Sequence, residues 1–291
     1  IVETDAGNVT LRAYKKGQQI EASVDTKGVN IGRILDNRQL GNVVASIDVN
    51  GTLNHLYAKG KIARFDYGNY PFRDIVIDGN YDRHTLHGMA SIADPNISLS
   101  AKGDYTPASR RYALDARINH LCPSVLGMKT HDSSCSLDNV SISANNKDKE
   151  GHLDVEAPFM SLYARGQYDL ATIYNSIIRT ISDKLPTLPG INHHAVRGNN
   201  DFTLQANITS ADVLKQLFGL PLELEMPVHI NGNISDATKD VNLYVSAPHF
   251  SWGEKAFHDA NIELNTIGDS LRMEARFSQG KPYQKAPIYR L

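Results

Sequence analysis

Apolar and polar residues alternate with a period of two along most of this chain, in short runs broken by Gly, Asn or Asp. Val43-Val44-Ala45-Ser46-Ile47-Asp48-Val49, Asn96-Ile97-Ser98-Leu99-Ser100-Ala101 and Phe202-Thr203-Leu204-Gln205-Ala206-Asn207-Ile208 are typical. Such runs predict strands with one dry and one wet face, the pattern of an antiparallel meander. Asn50-Gly51, Asp78-Gly79-Asn80 and Asn231-Gly232-Asn233 predict turns between strands. Two segments break the alternation. Residues 169–185 carry Leu170, Ile173, Ile177, Ile181 and Leu185 at helical spacing, with Asp169 placed to cap the start and Pro186 to stop the helix. Residues 210–218 predict a shorter helix, with Ser210 as N-cap, Val213, Leu214 and Leu217 as its stripe, and Gly219 and Pro221 closing it. Residues 32–35 look like a weaker version of the second helix.

The alternation is organised in repeats. Phe65-Asp66-Tyr67-Gly68-Asn69-Tyr70-Pro71-Phe72-Arg73-Asp74-Ile75-Val76-Ile77 returns as Phe250-Ser251-Trp252-Gly253-Glu254-Lys255-Ala256-Phe257-His258-Asp259-Ala260-Asn261-Ile262. Both read as one hairpin around a Gly-containing turn. Leu137-Asp138-Asn139-Val140-Ser141-Ile142 keeps only the tail of this motif. Strands with Ala-x-(Val/Ile) begin at Ala22, Ala116 and Ala206, so 94 and then 90 residues apart (116 − 22 and 206 − 116). These registers predict a single elongated repeat domain over 1–291, with approximate repeats 20–112, 113–200 and 201–280 and a tail at 281–291. A single irregular β-sandwich is the competing arrangement.

Charge and motifs narrow the function. The formal net charge is −2, which leaves no nucleic-acid footprint and no basic block for a membrane surface. No run of apolar residues approaches the roughly 20 needed to span a bilayer. The chain begins at Ile1 inside a strand-like pattern and ends in a Pro- and Lys-containing stretch, from which we expect a piece of a longer protein. There is no Gly-x-Ser-x-Gly elbow, Walker loop or Gly-x-Gly-x-x-Gly fingerprint, so no enzyme is expected. His84 and His87 have odd spacing for one strand face, and His193-His194 lack a nearby carboxylate or Cys, so no metal site is expected. Asp74 and Asp259 recur in the hairpin motif, where a hydrogen bond in a turn or at a strand end explains them better than catalysis. Cys122 and Cys135 could close a disulfide in an oxidising compartment or remain a pair of thiols.

Repeats of alternating strands, a short helix ahead of a strand run, and the aromatic-Gly-x-x-x-Phe-x-Asp hairpin resemble the TamB/AsmA-like proteins of diderm bacteria, and most closely the TamB homologues of Bacteroidales. The resemblance covers essentially the whole chain. It implies a mostly β fold, a repetitive, curled antiparallel sheet shaped as a taco-like trough with an apolar interior and one or two short amphipathic helices. It implies a bridge-like lipid-transfer function in the periplasm, carrying phospholipids between inner and outer membrane. It also implies an inner-membrane anchor, absent from this chain, and for some members an outer-membrane barrel partner. No cofactor is implied beyond a phospholipid or other acyl-chain ligand.

The apolar face carries the functional expectation. Its candidates are Val43, Ala45, Ile47 and Val49; Ile75 and Ile77; Ile97 and Leu99; Leu114, Ile118, Val140 and Ile142; Leu204 and Ile208; Leu222, Leu224, Met226, Val228 and Ile230; Val241, Leu243 and Val245; Ile262, Leu264, Leu271 and Met273. A one-sided sheet must cover this face or associate through it, and two short helices are too few to cover it. The sheet therefore folds on itself, as a closed sandwich or barrel or as an incompletely closed trough. The helix over 169–185 would be a fixed cap or plug on such a trough, or a moving gate. Against the lipid-conducting segment stands a structural or adhesive module, binding glycan or protein through Tyr57, Tyr67, Tyr70 and Trp252. A glycan-active enzyme would need a carboxylate cluster facing a cleft, and the scattered acidic residues supply none.

Overall fold

The computed structural model describes residues 2–4, 7–147, 151–169, 172–184, 198–280 and 288–290. The chain is mostly β and divides into two compact units, at residues 1–141 and 142–291. The first holds β1 (Val2–Thr4), β2 (Gly7–Lys16), β3 (Gln19–Asn30), α1 (Ile31–Leu35), β4 (Leu40–Thr52), β5 (His55–Tyr67), β6 (Tyr70–Asp82), β7 (Thr85–Asp94), β8 (Ile97–Thr106), β9 (Arg111–Leu121) and a 3-10 turn (Pro123–Leu126). β10 (Leu137–Asn145) carries the boundary. The second holds β11 (His152–Ala157), β12 (Met160–Gln167), α2 (Ile173–Lys184), β13 (Asp201–Ile208), α3 (Asp212–Phe218), β14 (Leu222–Leu224), β15 (Val228–Ser235), β16 (Asp240–Trp252), β17 (Lys255–Ile267), β18 (Ser270–Gln279) and β19 (Ile288–Arg290).

Within each unit the strands pair antiparallel, almost always with the next in the chain, and the sheet does not close into a barrel. This is the expected antiparallel meander, and its open form decides against the closed barrel. The repeated motif forms the expected hairpins. Tyr67 pairs with Tyr70 around Gly68-Asn69, and Trp252 with Lys255 around Gly253-Glu254, with Gly68 and Gly253 at φ near +60°. That left-handed backbone suits a two-residue turn whose twist matches its strands.

Two sequence expectations need correction. Asn50-Gly51, Gly79 and Asn231-Gly232 lie inside strands β4, β6 and β15, and are not turns. Their glycines serve close strand approach: a Cβ on Gly51 would stand 2.0 Å from the His55 carbonyl oxygen, and one on Gly79 would stand 2.7 Å from that of His87. Asp74 and Asp259 likewise lie inside β6 and β17 and not at turns, with φ of 49° and 54°. Asn139, at the same place in the truncated motif, has φ 54°. Asp and Asn tolerate the left-handed region better than other side chains with a Cβ. One such residue resets the strand's alternation, so Phe72 and Ile75, three apart, are both buried. Residues 32–35 do form a short helix, α1, capped by the Asn30 side chain, which accepts from the Arg33 N–H at 3.0 Å.

The other helices start later than the pattern suggested. α2 begins at Ile173; Leu170, Leu185 and Pro186 lie outside the described residues. α3 has Ala211 in the cap position, while Ser210 accepts from the Asp212 N–H through its hydroxyl at 3.0 Å. Gly219 closes α3 in the left-handed conformation, as its position implied. A helical turn follows each of the three Ala-x-(Val/Ile) strands: α1 after β3, the 3-10 turn after β9 and α3 after β13.

Candidate functional site

The strand registers stack the apolar residues of successive strands on one face. In the first unit one ladder runs Ala45, Ile62, Ile75, Ile92, Leu99, Ile118, and the next runs Val24, Ile47, Gly60, Ile77, Ala90, Ala101, Ala116. A third runs Val49, Ala58, Gly79, Gly88, Gly103, Leu114. Val43 joins the face beside Phe65 and Phe72, and Ile97 beside Leu121. Large side chains at one end form the core, with Phe72, Ile75, Ile97, Leu121 and Val125 buried and Ile62, Ile77, Leu99 and Ile118 packed on them. Towards the other end the ladders thin to Gly and Ala. A shallow depression of about 340 Å³ lies there, its lining taking in Ile77, Ala90, Ala101 and Leu114.

The second unit repeats the arrangement. One ladder runs Leu153, Ala164, Leu204, Gly232, Leu243, Leu264, Met273, and the next runs Val155, Leu162, Ala206, Ile230, Val245, Ile262, Ala275. Ile208 pairs with Val228, Leu224 with Phe250, Leu222 with Trp252, and Leu271 with Thr266. Val241 is buried beside Ile234 and Phe202. Val140 is buried on β10 and Ile142 is half-buried two residues on. Met226 falls between β14 and β15 and is exposed. Each unit thus gathers its share of the predicted lining on one face. Ile62, Ile92, Val24, Leu153 and Leu162, which the predicted lining omitted, fill the gaps.

The face is not fully covered. Leu114 and Ile262 lie on the apolar face yet are 39% and 37% exposed. α2 covers part of the second unit's face: Ile173 and Ile177 pack on the cluster of Tyr168, Phe202, Ile234 and Val241. Buried polar contacts pin the helix. The Asn200 side-chain amide donates to Thr172, Ser176 and Asp236, and its oxygen accepts from the Asp169 N–H. At the other end Lys184 donates to the Gly268 carbonyl. α2 thus sits on this face as a cap.

The opposite face is polar and laced across strands: Lys59 with Asp78, Lys61 with Asp74, His87 with Asp104 and Lys102 with Asp115. Hydrogen bonds from Arg276 hold the Glu274 carboxyl below the usual carboxylate range. Of the aromatics of the adhesive alternative, Tyr67 and Tyr70 face each other across the β5–β6 hairpin. Tyr57 and Tyr67 stand ten residues apart on β5, roughly 33 Å at strand rise. Tyr70 is tied through its hydroxyl to Asp94, and Trp252 belongs to the other unit. Cys122 and Cys135 are free thiols. His84 lies in a turn beside Tyr81, and His193 and His194 fall outside the described residues. Among the described residues no helix is long and apolar enough to cross a membrane, and no cluster of three or more His, Cys, Asp or Glu could hold a metal ion. No protein-family model matches the chain, and neither a curated protein nor a solved structure was found to match it.

Proposed function

We propose that the apolar faces shield acyl chains, making this chain a non-enzymatic lipid-conducting segment of a TamB/AsmA-like envelope protein that moves phospholipid between inner and outer membrane across the periplasm. The observation that carries the reading is an apolar face continuous across the strands of each unit and left partly open. The taper to Gly79, Gly88 and Gly103 beside exposed Leu114 leaves that end of the first unit's face without large side chains to fill it. Burying a methylene is worth about 0.8 kcal/mol. Two acyl chains of roughly 30 methylenes therefore avoid on the order of 20 kcal/mol of exposure, which a bilayer and an apolar groove supply alike. Transfer between them is then nearly isoenergetic and needs no local chemistry, while the headgroup stays in water.

The test contrasts the two faces at matched exposure. Leu114 (39% exposed) and Ile262 lie on the apolar face, and Val76 (41% exposed) lies on the polar face. The wild type should take up fluorescent phospholipid from vesicles and carry lipid detectable by mass spectrometry after extraction. Leu114→Asp and Ile262→Asp should abolish uptake, and Val76→Asp should not. Equal uptake by all three folded variants would remove the groove from the mechanism.

A further inference from the structure

A cysteine, a histidine and an aspartate meet where β9 runs into the 3-10 turn. The Cys122 Sγ lies 3.3 Å from His120 Nε2. On the other side of the ring, His120 Nδ1 lies 2.6 Å from Asp138 Oδ1 on β10. The Ser136 hydroxyl donates to the second carboxylate oxygen at 2.7 Å. An ionised carboxylate only accepts, so the proton sits on Nδ1 and Nε2 is left as the acceptor for the thiol. Two other histidines, His55 and His87, also pair with aspartates across strands. All three pairs are comparably exposed, and His120 alone among the three has a thiol at its other nitrogen. The Cys122 N–H donates to the Asn96 carbonyl at 2.8 Å, which fixes the backbone under the thiol, and the residue is half-buried, within reach of solvent.

We propose that Cys122 is an activated thiol, with His120 as its general base and Asp138 as the residue that positions the ring, and that it exchanges with disulfides. A thiol hydrogen-bonded to a base that a third group orients is the arrangement that makes a nucleophile at neutral pH. In the step, Cys122 passes its proton to Nε2 and the thiolate attacks one sulfur of a small disulfide. The new S–S bond joins Cys122 to that sulfur, the old S–S bond breaks, and its electron pair leaves with the other sulfur, which takes the proton from Nε2. Cys122 is oxidised to the mixed disulfide and one substrate sulfur is reduced to a thiol. The groups facing the thiol are His120 of β9, the Asn96 side chain of the β7–β8 turn and the second thiol, Cys135; Asp138 reaches it only through the His120 ring. The second thiol, Cys135, is buried, and that burial raises its pKa, so it is the poorer nucleophile.

The experiment uses the full chain with Cys135→Ser, so that one thiol is read. Its reaction with a chromogenic aromatic disulfide is followed from pH 5.5 to 9, and with oxidised glutathione by the mass of one added glutathionyl group. An ordinary thiol near pKa 8.5 is about 1% thiolate at pH 6.5 and loses rate about tenfold per pH unit below that. Cys122 should hold its rate through this range. His120→Gln should restore the steep profile and slow the reaction at pH 6.5 about tenfold, and Asp138→Asn should fall between. Ultraviolet titration of the thiolate in the unmutated triad gives the same midpoint without relying on the variants' folding. A midpoint at the ordinary thiol value, or one that His120→Gln leaves in place, overturns the proposal.

Discussion

Gly88 separates a conducting face from a packed one. It sits on β7, opposite Gly79 on one side and Gly103 on the other, where the apolar face of the first unit is thinnest. A Cβ there would meet the Asp78 carbonyl oxygen at 3.4 Å and the Gly79 Cα at 3.7 Å, ordinary contacts, and Gly88 does not use positive φ. Its neighbours are less permissive: a Cβ on Gly103 would stand 2.3 Å from the Ala113 carbonyl oxygen. Gly88→Val therefore fits the backbone. Replacing glycine in a strand recovers roughly 0.5–1 kcal/mol of conformational entropy, and a β-branched residue suits the pleat. The variant should be more stable than wild type by about that amount in urea denaturation. The new side chain stands in the lane between Ala90, Ala101 and Leu114, so phospholipid transfer between donor and acceptor vesicles should fall severalfold. A chain that only needed a well-packed core would gain in every assay. Unchanged transfer by a folded, more stable Gly88→Val would mean that acyl chains do not pass over this part of the sheet.

The remaining predictions concern how the faces are held. Asn200 is 1% exposed and serves four partners; Asn200→Ala should cost about 2–4 kcal/mol in urea denaturation and speed hydrogen exchange in α2 selectively. Asp74→Ala and Asp259→Ala should each cost about 1 kcal/mol, because Ala tolerates the left-handed region less well, whereas the Gly variants should cost nothing; equal effects of Ala and Gly would assign the role to the carboxylate. Glu274 has a folded-state pKa below its ordinary value, so its contribution is present above the unfolded pKa near 4.5 and is lost as pH falls through the folded value. Glu274→Gln should therefore be less stable than wild type at pH 7, with the difference closing in acid, as thermal melts across that range would record.

Much of this architecture can be read from period two alone. Ala22, Ala116 and Ala206 mark strands that do face the apolar side, and each does lead into a helical turn, because the signal is local: alternation, then a capped turn. The failures are equally local. Asn50-Gly51 and Asn231-Gly232 have the composition of a turn, yet here glycine answers a neighbouring strand's backbone, a demand that arises only once the strands are paired. Asp74, Asp259 and Asn139 were conspicuous as a repeated motif, but strict alternation has no place for a residue that resets the face, so their conformation could not be inferred from parity. The thiol site was hidden for a different reason. Cys122 invites a comparison with the other cysteine, whereas its working partners are two residues back on β9 and sixteen ahead on β10. What brings His120, Cys122 and Asp138 together is the return of the chain through the 3-10 turn into β10, with Asn139 at positive φ beside Asp138. Asp138 thus meets His120 beside a residue in the same left-handed conformation that Asp74 and Asp259 adopt in the full copies of the motif.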